Sequence, residues 1–193
     1  MYSVVNFFRK ESDIMKALLV VDVQNDFCPG GALPAPGGDK VVPVINSLID
    51  KFPLIIASKD WHPEITLHFD KWPKHCVQGT KGAELHPDLR QDRLDQIVLK
   101  GAMNMDEGYS VFEGIDIDLE KFLRDRGVNT LYVTGLVTEY CVKETALDAQ
   151  KRGFSTYVIK DAVEGVRLKK GDVERAFEEM KKAGVRLISS SEV

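Results

Sequence analysis

The sequence is poor in the features that mark several common protein classes. It holds three cysteines, Cys28, Cys76 and Cys141, among 193 residues. They are odd in number, widely spaced and form no CxxC pair, which argues against a disulfide framework and against a cysteine-rich zinc module. Reduced thiols of the cytoplasm fit this usage better. There is no basic block: 26 Lys and Arg stand against 30 Asp and Glu, for a net charge of −4, with the two signs interleaved. Neither nucleic acid nor a membrane surface is the expected partner, and a small molecule is. No apolar run reaches the roughly 20 residues a membrane helix needs. Near the start, "VVNFF" stops at "RKESD", too short for a signal-peptide core. Residues 1–14 read as an extension that need not be ordered, ahead of one domain over 15–193. Monomer and homo-oligomer are both open.

What the chain does have is rhythm. Short apolar runs recur in "KALLVVDV" (16–23), "LIIASKD" (54–60), "QIVLKG" (96–101), "TLYVTGLV" (130–137), "STYVIKDA" (155–162) and "VRLIS" (185–189). Each is nearly continuous in Val, Ile and Leu, as a strand buried on both faces must be. Between them lie helical stripes: Val42, Ile45, Leu48 and Ile49; Leu119, Phe122 and Leu123; Val142, Ala146 and Ala149; Val173, Phe177 and Met180. Three of these helices stop at Gly127, Gly153 and Gly184, where a C′ residue belongs. The repeat predicts a three-layer α/β/α fold around a six-stranded parallel sheet. Residues 60–92 break the rhythm, and a loop this long in a compact domain is usually functional.

Ligands of open parallel sheets bind beyond the C-terminal strand ends. Asp22 ends the first strand, Lys59 and Asp60 the second and Lys100 the third, while the fourth leads through Thr138 to Cys141. These groups are therefore expected at one sheet edge. Cys141 opens a helix, where outward N–H groups and the macrodipole favour a thiolate. A carboxylate held in a dry cleft becomes a competent base, which suits Asp22. Lys100 is expected to lower the thiol pKa and to hold developing charge. Taken singly, each has a plainer reading: a turn-forming acid, a snorkelling lysine, a buried small hydrophobe.

The second constellation is "KDWHPEITLHFDKWPKHC". Three of the four histidines, His62, His68 and His75, crowd into this stretch. In an extended chain Asp60 and His62 point the same way and Trp61 the other. One carboxylate with two or three imidazoles suits a divalent transition metal, Zn²⁺ before Fe²⁺ or Mn²⁺, with positions left for water or substrate. The loop after the first strand, "DFCPGGALPAPGGDK", is stiffened by Gly and Pro, and Phe27 and Trp72 are candidates to sandwich a flat ligand.

With these residues assembled, the chain resembles the nicotinamidase/pyrazinamidase branch of the isochorismatase-like cysteine hydrolases. "VVDVQNDFCPGGAL", "KDWHPE", "WPKHCVQGT", "LKG", "YSVFEG" and "GLVTEYCVKETALDA" occur in family order from about residue 16 to 190. The resemblance implies a Rossmann-like hydrolase fold and hydrolysis of nicotinamide, and of pyrazinamide, through a cysteine thioester in NAD salvage. It implies a catalytic triad of Asp22, Lys100 and Cys141, metal ligands Asp60, His62 and His75, and an additional ligand of some members at His68. Phe27, Trp72 and Tyr109 match substrate-pocket aromatics. The backbone amides of Val137 and Cys141 match an oxyanion hole, with a cis bond expected between Leu136 and Val137. Two departures, Val111 for a usual glycine and Val137 for a common alanine, are expected to add bulk near the pocket and bear on substrate range. The alternative within the superfamily is an isochorismatase or a carbamoyl or ureido amidohydrolase, against which the Asp-Trp-His and His-Cys motifs argue.

Overall fold

The computed structural model describes residues 15–104 and 108–193; the extension expected over 1–14 lies outside them. Six strands, β1 (Met15–Val21), β2 (Ile55–Asp60), β3 (Gln96–Lys100), β4 (Val128–Leu136), β5 (Ser155–Glu164) and β6 (Arg186–Ile188), form one sheet in the order β3-β2-β1-β4-β5-β6. Every pairing is parallel. Side chains alternate along β1: Ala17, Leu19 and Val21 enter one core, Leu18 and Val20 the other. Because both faces are buried from Ala17 to Val21, that stretch is unbroken in hydrophobicity, and the charged Lys16 falls in the half-buried start of the strand. Leu18, Leu19 and Leu131 are wholly buried, each stabilising the sheet by about 1.5–3 kcal/mol relative to exposure.

Helices α2 (Leu119–Asp125), α3 (Lys143–Lys151) and α4 (Asp172–Lys182) supply the first core, whereas α1 (Val41–Ile49) supplies the second. Gly127, Gly153 and Gly184 follow α2, α3 and α4 with φ of 71°, 82° and 95°, as the C′ reading requires. One helix is too little to cover its face of the sheet, and the long loop covers the rest. Its residues Ala83, Leu85 and Leu89 pack into the α1 core. Two isolated bridges, His62 with Val77 and Gln24 with Leu85, tie it down. The segment that looked aperiodic thus has a structural duty as well as a chemical one.

The strand order reverses direction between β1 and β4, and at such a switch point the outgoing connections diverge and leave a crevice. Gly135 permits it. A Cβ there would sit 2.0 Å from the Val21 carbonyl oxygen, so only glycine lets the ends of β1 and β4 close up this far.

Candidate active site

Beyond Val21 the chain turns at Asp22, whose φ of 46° is left-handed. The turn leaves the carboxylate fully buried over the crevice. The Ser58 hydroxyl donates to Asp22 Oδ1 at 2.7 Å, and the Lys100 ammonium lies 2.8 Å from Oδ2. Ser58 and Asp60 are two residues apart on β2 and share a face, so that strand delivers both groups to the same place. Lys100 reaches in from β3. Its ammonium donates to Asp60, to the Gly108 carbonyl at 2.9 Å and to Cys141 Sγ at 3.4 Å. Cys141 arrives from β4 by a wide turn over Thr138–Val142, in which the N–H groups of Tyr140 and Val142 both donate to the Val137 carbonyl. The strand-end rule therefore places Asp22, Asp60, Lys100 and Cys141 together as expected. Lys59 is the exception: it points to the opposite side, its ammonium 4.3 Å over the Trp61 ring.

Burial dictates the protonation states. Desolvation pushes Asp22 up to about 6, against the attraction of Lys100. Desolvation would also raise Asp60, but the pull of the adjacent positive charge, that of Lys100 foremost, holds the carboxyl below the usual range. Lys100, which burial alone would discharge, is held well above the ordinary lysine value by Asp22 and Asp60. For Cys141 the sequence expectation is reversed. Burial pushes the thiol well above its ordinary value, Lys100 lowers it too little, and Asp60 and Asp22 raise it further. Raised in this way the sulfur rests as a thiol, within 4.8 Å of an Asp22 carboxylate oxygen, so its activation requires a base rather than a standing thiolate.

The imidazoles gather on the other side of Asp60. His62 Nδ1 lies 2.9 Å from the Gly101 carbonyl and His75 Nδ1 2.7 Å from that of Pro73. A carbonyl only accepts, so each Nδ1 carries the proton and each Nε2 presents a lone pair. Those lone pairs face Asp60 Oδ2 at 3.5 and 3.8 Å. Acceptors facing an acceptor repel unless a cation lies between them. His62 Nε2 is buried and without a hydrogen-bond partner among the described residues, and burial lowers the His75 pKa, keeping it neutral as a ligand must be. His68 stacks on His62 with ring centroids 4.3 Å apart, and a ring nitrogen from each of His62, His68 and His75 lies within 4.8 Å of the others. This donor set fits a divalent metal ion. Asp22, Asp60 and Cys141 also converge within 4.8 Å, but there the Lys100 ammonium already supplies the positive charge.

Asp60, His68, His75 and Cys141 open into a pocket walled by Phe27, Leu33, Trp72, Tyr109, Val137, Tyr140 and Val166. The Trp72 indole N–H donates to the Tyr109 hydroxyl at 3.1 Å, and Tyr140 meets Trp72 edge-on at 4.8 Å. The three pocket aromatics read from the sequence are all present, and Phe27 both lines the pocket and fills the α1 core. The Leu136–Val137 bond is cis. Val137 lines the pocket, but Val111 does not add bulk there. It is buried in the core of α2–α4, its N–H bound to the Thr145 hydroxyl.

Sequence reasoning passed over Ser58, Tyr140, Leu33, Val166 and Gln24. The two-residue period of β2 was a signal for Ser58. Gln24 brackets the metal loop from within, its amide donating to the carbonyls of Asp60 and Ala83 and accepting from the Asp60 N–H. Nothing local in "VQND" announces that.

The isochorismatase domain profile matches residues 16–192. A nicotinamidase of Acinetobacter baylyi is 38% identical, over 92% of this chain and 94% of its own. A nicotinamidase/pyrazinamidase of Mycobacterium tuberculosis is 39% identical, over 92% of this chain and 100% of its own. Among solved structures, the pyrazinamidase of Pyrococcus horikoshii in complex with zinc superposes with a TM-score of 0.81 at 49% identity, over 90% of this chain and 98% of that one.

Proposed function

The chain belongs to the isochorismatase domain family, and from that premise we propose that it hydrolyses nicotinamide to nicotinate and ammonia, and pyrazinamide to pyrazinoate, as a metal-dependent amidase of cytoplasmic NAD salvage. The observation that carries this reading is a buried cysteine sulfur within 4.8 Å of a buried carboxylate, at the base of an aromatic-walled pocket. The nicotinamidase relatives at 38% and 39% identity over most of their length support the substrate.

In the proposed reaction Asp22 takes the Cys141 proton as sulfur attacks the carboxamide carbon. The C=O bond opens to a tetrahedral oxyanion, held by the backbone amides of Val137 and Cys141. Asp22 then gives its proton to the departing nitrogen; the C–N bond breaks, ammonia leaves and a thioester remains. Water enters, loses a proton to Asp22 and attacks the thioester. Collapse breaks the C–S bond, and the proton returns from Asp22 to Cys141. Lys100 stays charged throughout and holds Asp22, Asp60 and the sulfur in register. Phe27, Trp72 and Tyr109 sandwich the ring and keep bulk water out. Asp60, His62 and His75, with His68 beside them, would hold the divalent ion, Zn²⁺ before Fe²⁺ or Mn²⁺. When bound, such an ion supplies a Lewis acid for the pyridine nitrogen.

The test is ammonia release from nicotinamide by purified protein, before and after chelation, with Cys141→Ala as control. Release that is lost on chelation and in the variant is the expected result. A folded, metal-loaded protein that releases none would turn the search to carbamoyl or ureido substrates.

A further inference from the structure

Glu139 lies two residues before Cys141, buried to 6% exposure, and takes no part in the chemistry above. A carboxylate is costly to bury without good partners, so its position needs a reason. Its Oε1 accepts the Arg167 backbone N–H at 2.7 Å. Its Oε2 has no hydrogen-bond partner among the described residues and rests against Gly165, where a Cβ would come within 2.3 Å of it.

The segment it touches leads directly from β5. The Glu164 carboxylate Oε1 accepts from the Gly165 N–H at 2.9 Å and from the Arg167 guanidinium at 2.9 and 3.1 Å. Arg167 has a φ of 55°, a conformation that a non-glycine residue keeps only when its surroundings enforce it. Glu164 therefore grips residues 165–167 at one end and Glu139 at the other. Between the two grips lies Val166, which lines the pocket with Cys141 and Val137.

We infer that Glu139 is a positioning residue that sets ring affinity: by clamping the Arg167 amide it holds Val166 as a fixed wall of the substrate pocket, leaving the chemical step to Asp22, Lys100 and Cys141. A hydrogen bond from a backbone N–H to a carboxylate is among the stronger neutral-to-charged contacts, and it spans from the nucleophile's own turn to the opposing wall. The inference rests on the amidase reading for its kinetic readout, so the experiment has two arms.

In the first arm, steady-state kinetics on nicotinamide compare wild type with Glu139→Ala, Glu139→Gln, Val166→Ala and the Glu139→Ala/Val166→Ala pair. Glu139→Ala is expected to raise KM about tenfold with kcat within about twofold, the mark of lost uniform binding. Glu139→Gln keeps an acceptor and should recover most of the loss. The double variant should be no worse than about the larger single effect, because both substitutions remove one wall. A fall in kcat at constant KM, or additive losses, overturns the inference. The second arm needs no substrate: hydrogen exchange at the Arg167 amide should quicken about tenfold or more in Glu139→Ala and far less in Glu139→Gln. Unchanged exchange overturns the clamp whatever the substrate is. If wild type releases no ammonia while exchange responds, the amidase reading has failed and the clamp stands. Should Glu139→Ala not fold, Glu139→Gln and Val166→Ala carry the same comparisons.

Discussion

The two halves of the site are built on opposite plans. The half around Lys100 is electrically complete: one ammonium between two carboxylates, with a thiol alongside, every member buried and partnered. The half around His62 and His75 is incomplete, with imidazole lone pairs turned toward a carboxylate oxygen. Their supports differ too. Strand ends of the central sheet position the first, whereas backbone carbonyls of loop residues Pro73 and Gly101 position the second. A site needs rigid placement where bonds are made, and it accepts an external ion where a ligand only has to be oriented.

Removing the sulfur breaks this comparison most sharply. Cys141→Ala is expected to cut kcat by about 10⁴-fold or more while metal content, read by atomic emission, stays at the wild-type level. Loss of metal in that variant would show that the halves are not separable. Lys100→Met should come next, because it leaves two buried carboxylates without their cation. Breaking a buried pair in this way costs about 3–5 kcal/mol, to be read from urea unfolding. A variant of unchanged stability would mean that the first half is not held together by its ion pair.

Metal removal should act on the other half alone. The apo protein should bind nicotinamide about 100-fold more weakly or not at all, keep its circular dichroism spectrum, and gain about 2.7 kcal/mol of stability when metal is restored to 100 times its Kd. Equal stability with and without metal would contradict the cluster of facing lone pairs. The smallest effect is on pH. Asp22 must be unprotonated to accept the thiol proton, and its pKa is raised to about 6. Activity is therefore present above that pH and lost below it, kcat/KM falling about tenfold per unit on the acid side. A rate constant flat down to pH 5 would remove Asp22 as the base.

Much of the fold could be read because its signals are local. Apolar runs marked all six strands, stripes marked the four helices, and Gly127, Gly153 and Gly184 marked three helix ends. The strand-end rule then carried Asp22, Asp60, Lys100 and Cys141 to one place without any coordinates. What escaped depended on distant partners or on burial. Ser58 matters because Asp22, 36 residues earlier, needs its hydroxyl; Gln24 because it reaches Asp60 and Ala83. Lys59 was misplaced because the two-residue period of β2, which turns it away from Ser58 and Asp60, outranks its position at the strand end; Val111 because nothing along the chain says that the turn after β3 will direct it into the core of α2–α4. The direction of the Cys141 pKa turned on how completely the pocket desolvates the sulfur, a quantity no motif encodes.

The two halves meet at one side chain. Asp60 holds Lys100 with one oxygen and faces His62 and His75 with the other. In genetic terms that residue is pleiotropic. A screen for loss of activity should recover lesions at Cys141 that spare the metal and lesions at His75 that spare the sulfur, but lesions at Asp60 should fail in both ways together. No second substitution elsewhere restores two partners at once, so suppressors of an Asp60 lesion should be confined to true reversion, and the position should tolerate the least variation of any in the crevice.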